Sequence, residues 1–81
     1  PWLAAVTDRY KLIYSALGQP WLYDLKTDPD ELHNKFTDSS FEKTVRRLTV
    51  KLAAYAKQYN DPYATDLQIK ADMARALGQV K

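Results

Sequence analysis

The sequence predicts an α+β fold: a small antiparallel sheet of about three strands packed against one long amphipathic helix, with a second helix towards the C-terminus. Two observations carry this expectation. Up to about residue 25 the apolar and aromatic residues run in short β-rich stretches separated by turn residues, and from Phe41 to Tyr59 they recur at helical spacing. The 81 residues suffice for one small domain, and a chain of this size buries only roughly 60 to 65% of its unfolded surface. A hydrophobic fraction of 46%, with six Tyr, two Trp and two Phe, provides a core and argues against disorder.

The first two strands are expected in "PWLAAV" and "RYKLIYS", joined by a tight hairpin at Thr7-Asp8. In the second run Tyr10, Leu12 and Tyr14 alternate with Arg9, Lys11, Ile13 and Ser15, which gives one apolar, aromatic face and one mostly polar face. "ALGQP" supplies Gly18 and Pro20 as turn residues, and "WLYDL" follows as a third strand with Trp21, Tyr23 and Leu25 on one face. Short turns between consecutive strands imply a meander, one face of which is free to be covered.

The cover is the helix. Apolar residues at positions 41, 45, 48, 52, 55, 56 and 59 form one stripe. Ser39 followed by Glu42 is expected to act as a capping box, and Asn60 and Pro62 to end the helix. In the tail, Ile69, Met73, Leu77 and Val80 share a thinner stripe, Thr65 or Asp66 is suited to cap it and Gly78 to end it. The hinge is expected at residues 60–65, dividing a subdomain at 1–63 from a helical tail at 64–81.

Composition narrows the chemistry. There are no cysteines, so disulfides, thiolate metal sites and thiol nucleophiles are excluded. The net charge is +2 with the basic residues interleaved among acids, which does not suit a nucleic-acid surface. Arg46, Arg47 and Lys51 form the best candidate basic patch, suited to an acidic partner. No apolar run approaches the roughly 20 residues of a membrane span, and no signal peptide is visible. A start at Pro1-Trp2 instead of Met is expected of a fragment or a processed product.

The densest polar stretch is "DLKTDPDELHN", residues 24–34, which holds four carboxylates and the only histidine. Calcium takes oxygen ligands of this kind, but the stretch has no glycine for a calcium-loop turn and no ligand ladder. His33 has no nucleophile at a telling spacing, and Ser15 is the distant candidate. A structural reading accounts for more residues. Asp28 before Pro29 fits a helix N-cap followed by a first-turn proline, and Glu31 falls where it can reach back to the cap. Asn34 suits a left-handed terminating position, and Leu32 and Phe36 are expected to anchor the turn on the core. The segment is therefore expected to be one self-capped helical turn, with neither a catalytic nor a metal-binding residue in the chain.

"VTDRYKLIYS", then "QPWLYDLKTDPDELHN", then a capped helix ending "YAKQYNDPYA" resembles the C-terminal region of the formylglycine-dependent sulfatases of the alkaline-phosphatase superfamily. The resemblance covers roughly residues 6–63, and Tyr23, Asp24, Leu25, Asp28, Pro29, Glu31 and Asn34 match its second motif. It implies a parent enzyme that hydrolyses sulfate esters through a formylglycine made in a C/S-x-P-x-R motif, with calcium held in a large N-terminal α/β domain. That motif is absent here, so the resemblance assigns no nucleophile and no calcium ligand to this chain, and no cofactor is expected within it. It implies a non-catalytic subdomain leaning on the catalytic domain as its partner, with Trp2, Trp21 or tyrosines marking the docking face, and self-association of an isolated fragment through that face. It also implies extracytoplasmic life, and it leaves His33 or the "SALGQ" turn as the candidates for contact with substrate at the cleft rim. A free-standing interaction module and the C-terminal part of a related phosphatase are the alternative readings.

Overall fold

The structure is a computed structural model that describes residues 2–58 and 66–78. Three strands, β1 (Trp2–Val6), β2 (Tyr10–Ser15) and β3 (Gly18–Asp24), form an antiparallel sheet in the order β1-β2-β3. A single 3-10 turn at Ser39–Phe41 leads into helix α1 (Glu42–Gln58), and α2 spans Leu67–Ala76. The expected α+β architecture is thus the one observed. The expected helix-ending residues Asn60 and Pro62, the stripe positions Tyr59 and Val80, the alternative cap Thr65 and the hinge at 60–65 lie outside the described residues.

Each hairpin differs slightly from its expected form. The first connection is three residues, Thr7 to Arg9, because the Thr7 hydroxyl accepts hydrogen bonds from the backbone N–H of Tyr10 (2.9 Å) and Arg9 (3.3 Å) and so builds the turn itself. The second is the two-residue turn Ala16-Leu17, with Ser15 paired to Gly18. Gly18 and Pro20 therefore belong to β3, which begins three residues before the expected Trp21. Proline is tolerated there because β3 is an edge strand and no partner needs its missing N–H.

The inner face carries Leu3 and Ala5 of β1, Tyr10, Leu12 and Tyr14 of β2, and Leu22 of β3. Trp21 and Tyr23 do share a face, but it is the opposite one. Leu12 pairs with Leu22 across the ladder, and the period-two alternation then turns Trp21 outward. Val45, Leu48, Leu52 and Ala56 of α1 cover the inner face, and Ile69 and Met73 of α2 complete the same core. Full burial of Leu12, Leu22, Leu48 and Ile69 contributes roughly 1.5 to 3 kcal/mol each. Tyr55, expected in the stripe, is 54% exposed, and Thr49 takes the buried position beside Leu48 and Leu52.

Thr49 is buried because it has a partner. Its hydroxyl and that of Tyr14 share a 2.6 Å hydrogen bond across the core, and Phe36 meets the Tyr14 ring edge-on with centroids 5.8 Å apart. Burial pushes the Tyr14 phenol up to about 12, against the opposing effect of the Thr49 bond, so it stays protonated and able to donate.

The helix starts are local. Asp38, not Ser39, receives the helix entry: its carboxylate accepts from the Ser40 N–H (3.0 Å) and the Ser40 hydroxyl (2.7 Å). A carboxylate accepts two donors where the hydroxyl of Ser39 would satisfy one, and the 3-10 turn moves the cap upstream. Asp66 caps α2 through Gln68 and Ile69, and Gly78 ends it with φ +73°, both as expected.

The buried hydroxyl pair provides a test of this core. Tyr14→Phe or Thr49→Val alone is expected to lower unfolding stability by about 1 to 3 kcal/mol, because each leaves its partner unsatisfied. The double variant should lose less than the sum of the two, as read from urea denaturation of the four proteins.

Candidate functional site

The sequence-predicted motif residues converge on the edge of β3 that faces away from β2 and on the loop that follows it. Asp24, at the end of β3, is only 2% exposed. A buried carboxylate needs a charged partner, and Arg9 provides one in a two-pronged grip, Nε to Oδ1 at 3.2 Å and Nη2 to Oδ2 at 3.0 Å. The Lys26 N–H adds a third bond at 3.2 Å. Arg9 itself lies over the Tyr10 ring, 5.2 Å from its centroid, and its carbonyl accepts from the Leu25 N–H. The Arg9 guanidinium holds the Asp24 carboxyl below the usual carboxylate range, and the same bond raises the Arg9 pKa.

Asp28 is buried and does cap the backbone, but it caps no helix. Its two oxygens accept from the N–H groups of Leu32 (3.0 Å) and His33 (2.9 Å), which lower its pKa. Those donors lie four and five residues on, beyond the reach of a helix cap, because the chain reverses at Glu31. Glu31, not Asn34, takes the left-handed conformation, with φ +57°. That costs on the order of 1 kcal/mol for a residue with a side chain and prevents residues 28–34 from continuing as a helical turn. The Glu31 carboxylate does not reach back to Asp28; it pairs with Lys11 Nζ at 3.0 Å. Pro29 sits on the exposed tip of this loop, Leu32 is 71% exposed and anchors nothing, and Phe36 alone docks in the core.

Asn34 has a different task. Its Oδ1 accepts from the Leu22 N–H (2.9 Å) and the Phe36 N–H (3.0 Å), and its Nδ2 donates to the Pro20 carbonyl (3.1 Å). The Lys35 N–H donates to the Leu22 carbonyl at 2.8 Å. The Asn34 amide thus stands in for a neighbouring strand along the outward edge of β3. Tyr23 lies half-buried on the outer face of the sheet, in register with Lys11. His33 is exposed, and its described bond is the one its backbone N–H makes to Asp28.

The other candidates separate in space. The turn at Ala16–Gln19 borders an open recess with Phe36, Gln68, Asp72 and Arg75, and His33 lies outside it. Asp72 is buried there and held by Gln68 Nε2 (3.0 Å) and Arg75 (3.6 Å). The three basic residues of α1 do not form one patch: Arg46 approaches Gly78 of the C-terminal segment, whereas Lys51 lies beside Ala4–Val6 of β1. Among the described residues no group of three or more metal-ligating side chains is placed to hold a metal ion, and no buried side-chain polar atom lacks a partner. Arg9 and Lys11, which complete the motif, carry no signal in local spacing; only strand pairing brings them to Asp24 and Glu31.

These features define an α+β domain whose acidic motif fastens a loop to a sheet edge. Residues 1–58 match the model of the C-terminal region of N-sulphoglucosamine sulphohydrolase, and the chain belongs to that family of sulfatase C-terminal domains. Over 53 residues it is 34% identical to an uncharacterized protein of Haemophilus influenzae, a stretch that covers 65% of this chain and 27% of that protein. Over 58 residues it is 33% identical to YidJ, an uncharacterized sulfatase of Escherichia coli, covering 72% of this chain and 12% of that protein. The chain therefore matches well under two thirds of the length of these curated relatives.

The lowered carboxyls set the acid response. Their contribution is fully present above the unfolded carboxylate value of roughly 3.9 and is lost as pH falls through the lower folded values. Unfolding stability of Asp24→Asn and Asp28→Asn is expected to fall less steeply than that of the parent chain between neutral pH and pH 2, from a lower starting value. Calcium should leave the melting temperature of both chains unchanged; stabilisation by calcium that is lost in Asp28→Asn would place these oxygens in a metal site instead.

Proposed function

We propose that this chain is the non-catalytic C-terminal subdomain of a longer sulfatase-type enzyme that hydrolyses sulfate esters, and that it packs against that enzyme's catalytic domain. The observation that carries the reading is the engagement of the motif's side chains. Asp24 is held by Arg9, Asp28 by two backbone N–H groups, Glu31 by Lys11 and Asn34 by the edge of β3, so none is poised for acid-base work. On this reading residues 1–63 form the subdomain and 64–81 its tail, and the enzyme works outside the cytoplasm.

The formylglycine and calcium of such an enzyme do not fit the residues of this chain. It has no cysteine and no C/S-x-P-x-R, and its buried carboxylate oxygens are already taken by protein donors. The chemistry of sulfate-ester cleavage is accordingly assigned to the remainder of the enzyme.

The outer face of the sheet suits the docking role. Trp2, Ala4 and Val6 of β1, Ile13 of β2, and Trp21 and Tyr23 of β3 share it, and Trp2, Val6 and Trp21 are 61%, 65% and 40% exposed. Among the described residues no helix covers this side, and no helix is long and apolar enough to cross a membrane. The exposed, polar His33 remains the residue of the loop best suited to reach the rim of a neighbouring cleft.

Two measurements test the proposal. The purified chain, given a chromogenic aryl sulfate and calcium, should show no turnover; sustained hydrolysis would overturn the non-catalytic assignment. Within the full-length enzyme, Trp21→Asp should release the subdomain to limited proteolysis while the isolated chain carrying the same change melts as before. An unaltered digestion pattern would remove this face from the domain contact.

A further inference from the structure

The open recess between the β2–β3 turn and α2 has a volume of about 480 Å³, the size of a small-molecule site. Its walls differ in kind. Leu17, Pro20 and Phe36 give it an apolar side, and Gln68, Asp72 and Arg75 of α2 give it a polar one. Asp72 is 6% exposed in the middle of α2, where a residue needed only for packing would be apolar.

Three carboxylates are buried among the described residues, and they are not satisfied alike. Asp24 and Asp28 each accept hydrogen bonds from protein donors on both oxygens. Asp72 accepts on one: Gln68 Nε2 donates to Oδ2 at 3.0 Å. The partner of Oδ1 is the Arg75 guanidinium at 3.6 Å, which is too long for a hydrogen bond. A carboxylate has about four acceptor positions, so this buried group keeps spare capacity at the recess.

Arg75 is equally unfinished. Its side chain is 62% exposed, and a loose pair one helical turn apart contributes little to stability, so a ligand that engages both partners opens it at small cost. Oδ1 calls for an N–H donor that carries positive charge, and the guanidinium fork calls for a carboxylate. A simple cation would be repelled by Arg75, and a simple anion by Asp72. A free α-amino acid answers both, since one carbon separates its ammonium from its carboxylate. Its side chain is then left to the apolar wall, where Leu17 is 87% exposed.

We propose that the recess between the β2–β3 turn and α2 binds a free α-amino acid with an apolar side chain, its ammonium on Asp72 Oδ1 and its carboxylate on Arg75. The inference does not rest on the sulfatase-type reading.

Titration of the purified, isotope-labelled chain with L-phenylalanine, followed through the amide NMR shifts of Leu17, Gly18, Gln68 and Asp72, tests it. The expected result is saturable shifts centred on the recess. N-acetyl-L-phenylalanine lacks the ammonium and L-phenylalanine methyl ester lacks the carboxylate, so each should bind at least about tenfold more weakly, the scale of one lost charge-assisted hydrogen bond. Arg75 is exposed, so Arg75→Gln should keep the parent melting curve while binding phenylalanine and its methyl ester equally. Asp72→Asn should likewise bind phenylalanine no better than the N-acetyl form; if that variant fails to fold, the Arg75→Gln comparison decides alone. Absence of saturable shifts at these amides, equal binding of the three probes to the parent chain, or an Arg75→Gln chain that still prefers the free acid to its ester would each overturn the proposal.

Discussion

A three-stranded sheet has two edges whose backbone groups must find partners, and the closure of the β3 edge is the constraint on which the rest of this structure depends. Leu22 is inward by its side chain and outward by its peptide groups, so the strand that fills the centre of the core also presents unpaired donors and acceptors at the rim. The chain resolves this by returning along β3 and laying Asn34 and Lys35 against it. Once that return is made, Phe36 reaches the Tyr14 ring, Asp38 lies at the start of α1, and α1 is aimed across the inner face.

The carboxylates of the acidic motif make the return possible. Residues 25–33 run without regular helix or strand beyond local turns, and such a segment needs its backbone groups satisfied by side chains. Asp24 holds the first turn through Lys26 and is itself neutralised by Arg9. Asp28 holds the second through Leu32 and His33 and stabilises the left-handed Glu31 that reverses the chain. The carboxylates of this cluster are thus engaged in holding the turns of the loop.

The sheet that results is finished on one side only. Its inner face is covered by two helices and its β3 edge is sealed, whereas its outer face keeps two tryptophans in view. Surface of this kind is unusual on a small soluble domain standing alone, because it favours association. An exposed apolar face of this kind suits a partner surface.

The elements that arise from local physics were legible in the sequence: the β-rich runs, the period of α1, the Asp66 cap and Gly78 stop of α2, and the spacing of the acidic motif. Errors of one to three residues at turns came from side chains competing with backbone, as Thr7 and Asp38 do. The helical turn expected at residues 28–34 failed for a less local reason. Asp28, Pro29 and Glu31 have the right order for it, but the pull of Lys11 on Glu31 and of β3 on Asn34 outweighs one isolated turn, whose nucleation is unfavourable. The sequence by itself determined that the three strands and the two α-helices form, because periodicity and capping act within a few residues. Only the tertiary structure decided what the polar residues do, since Arg9 meets Asp24, Lys11 meets Glu31 and Tyr14 meets Thr49 across separations that no local pattern encodes.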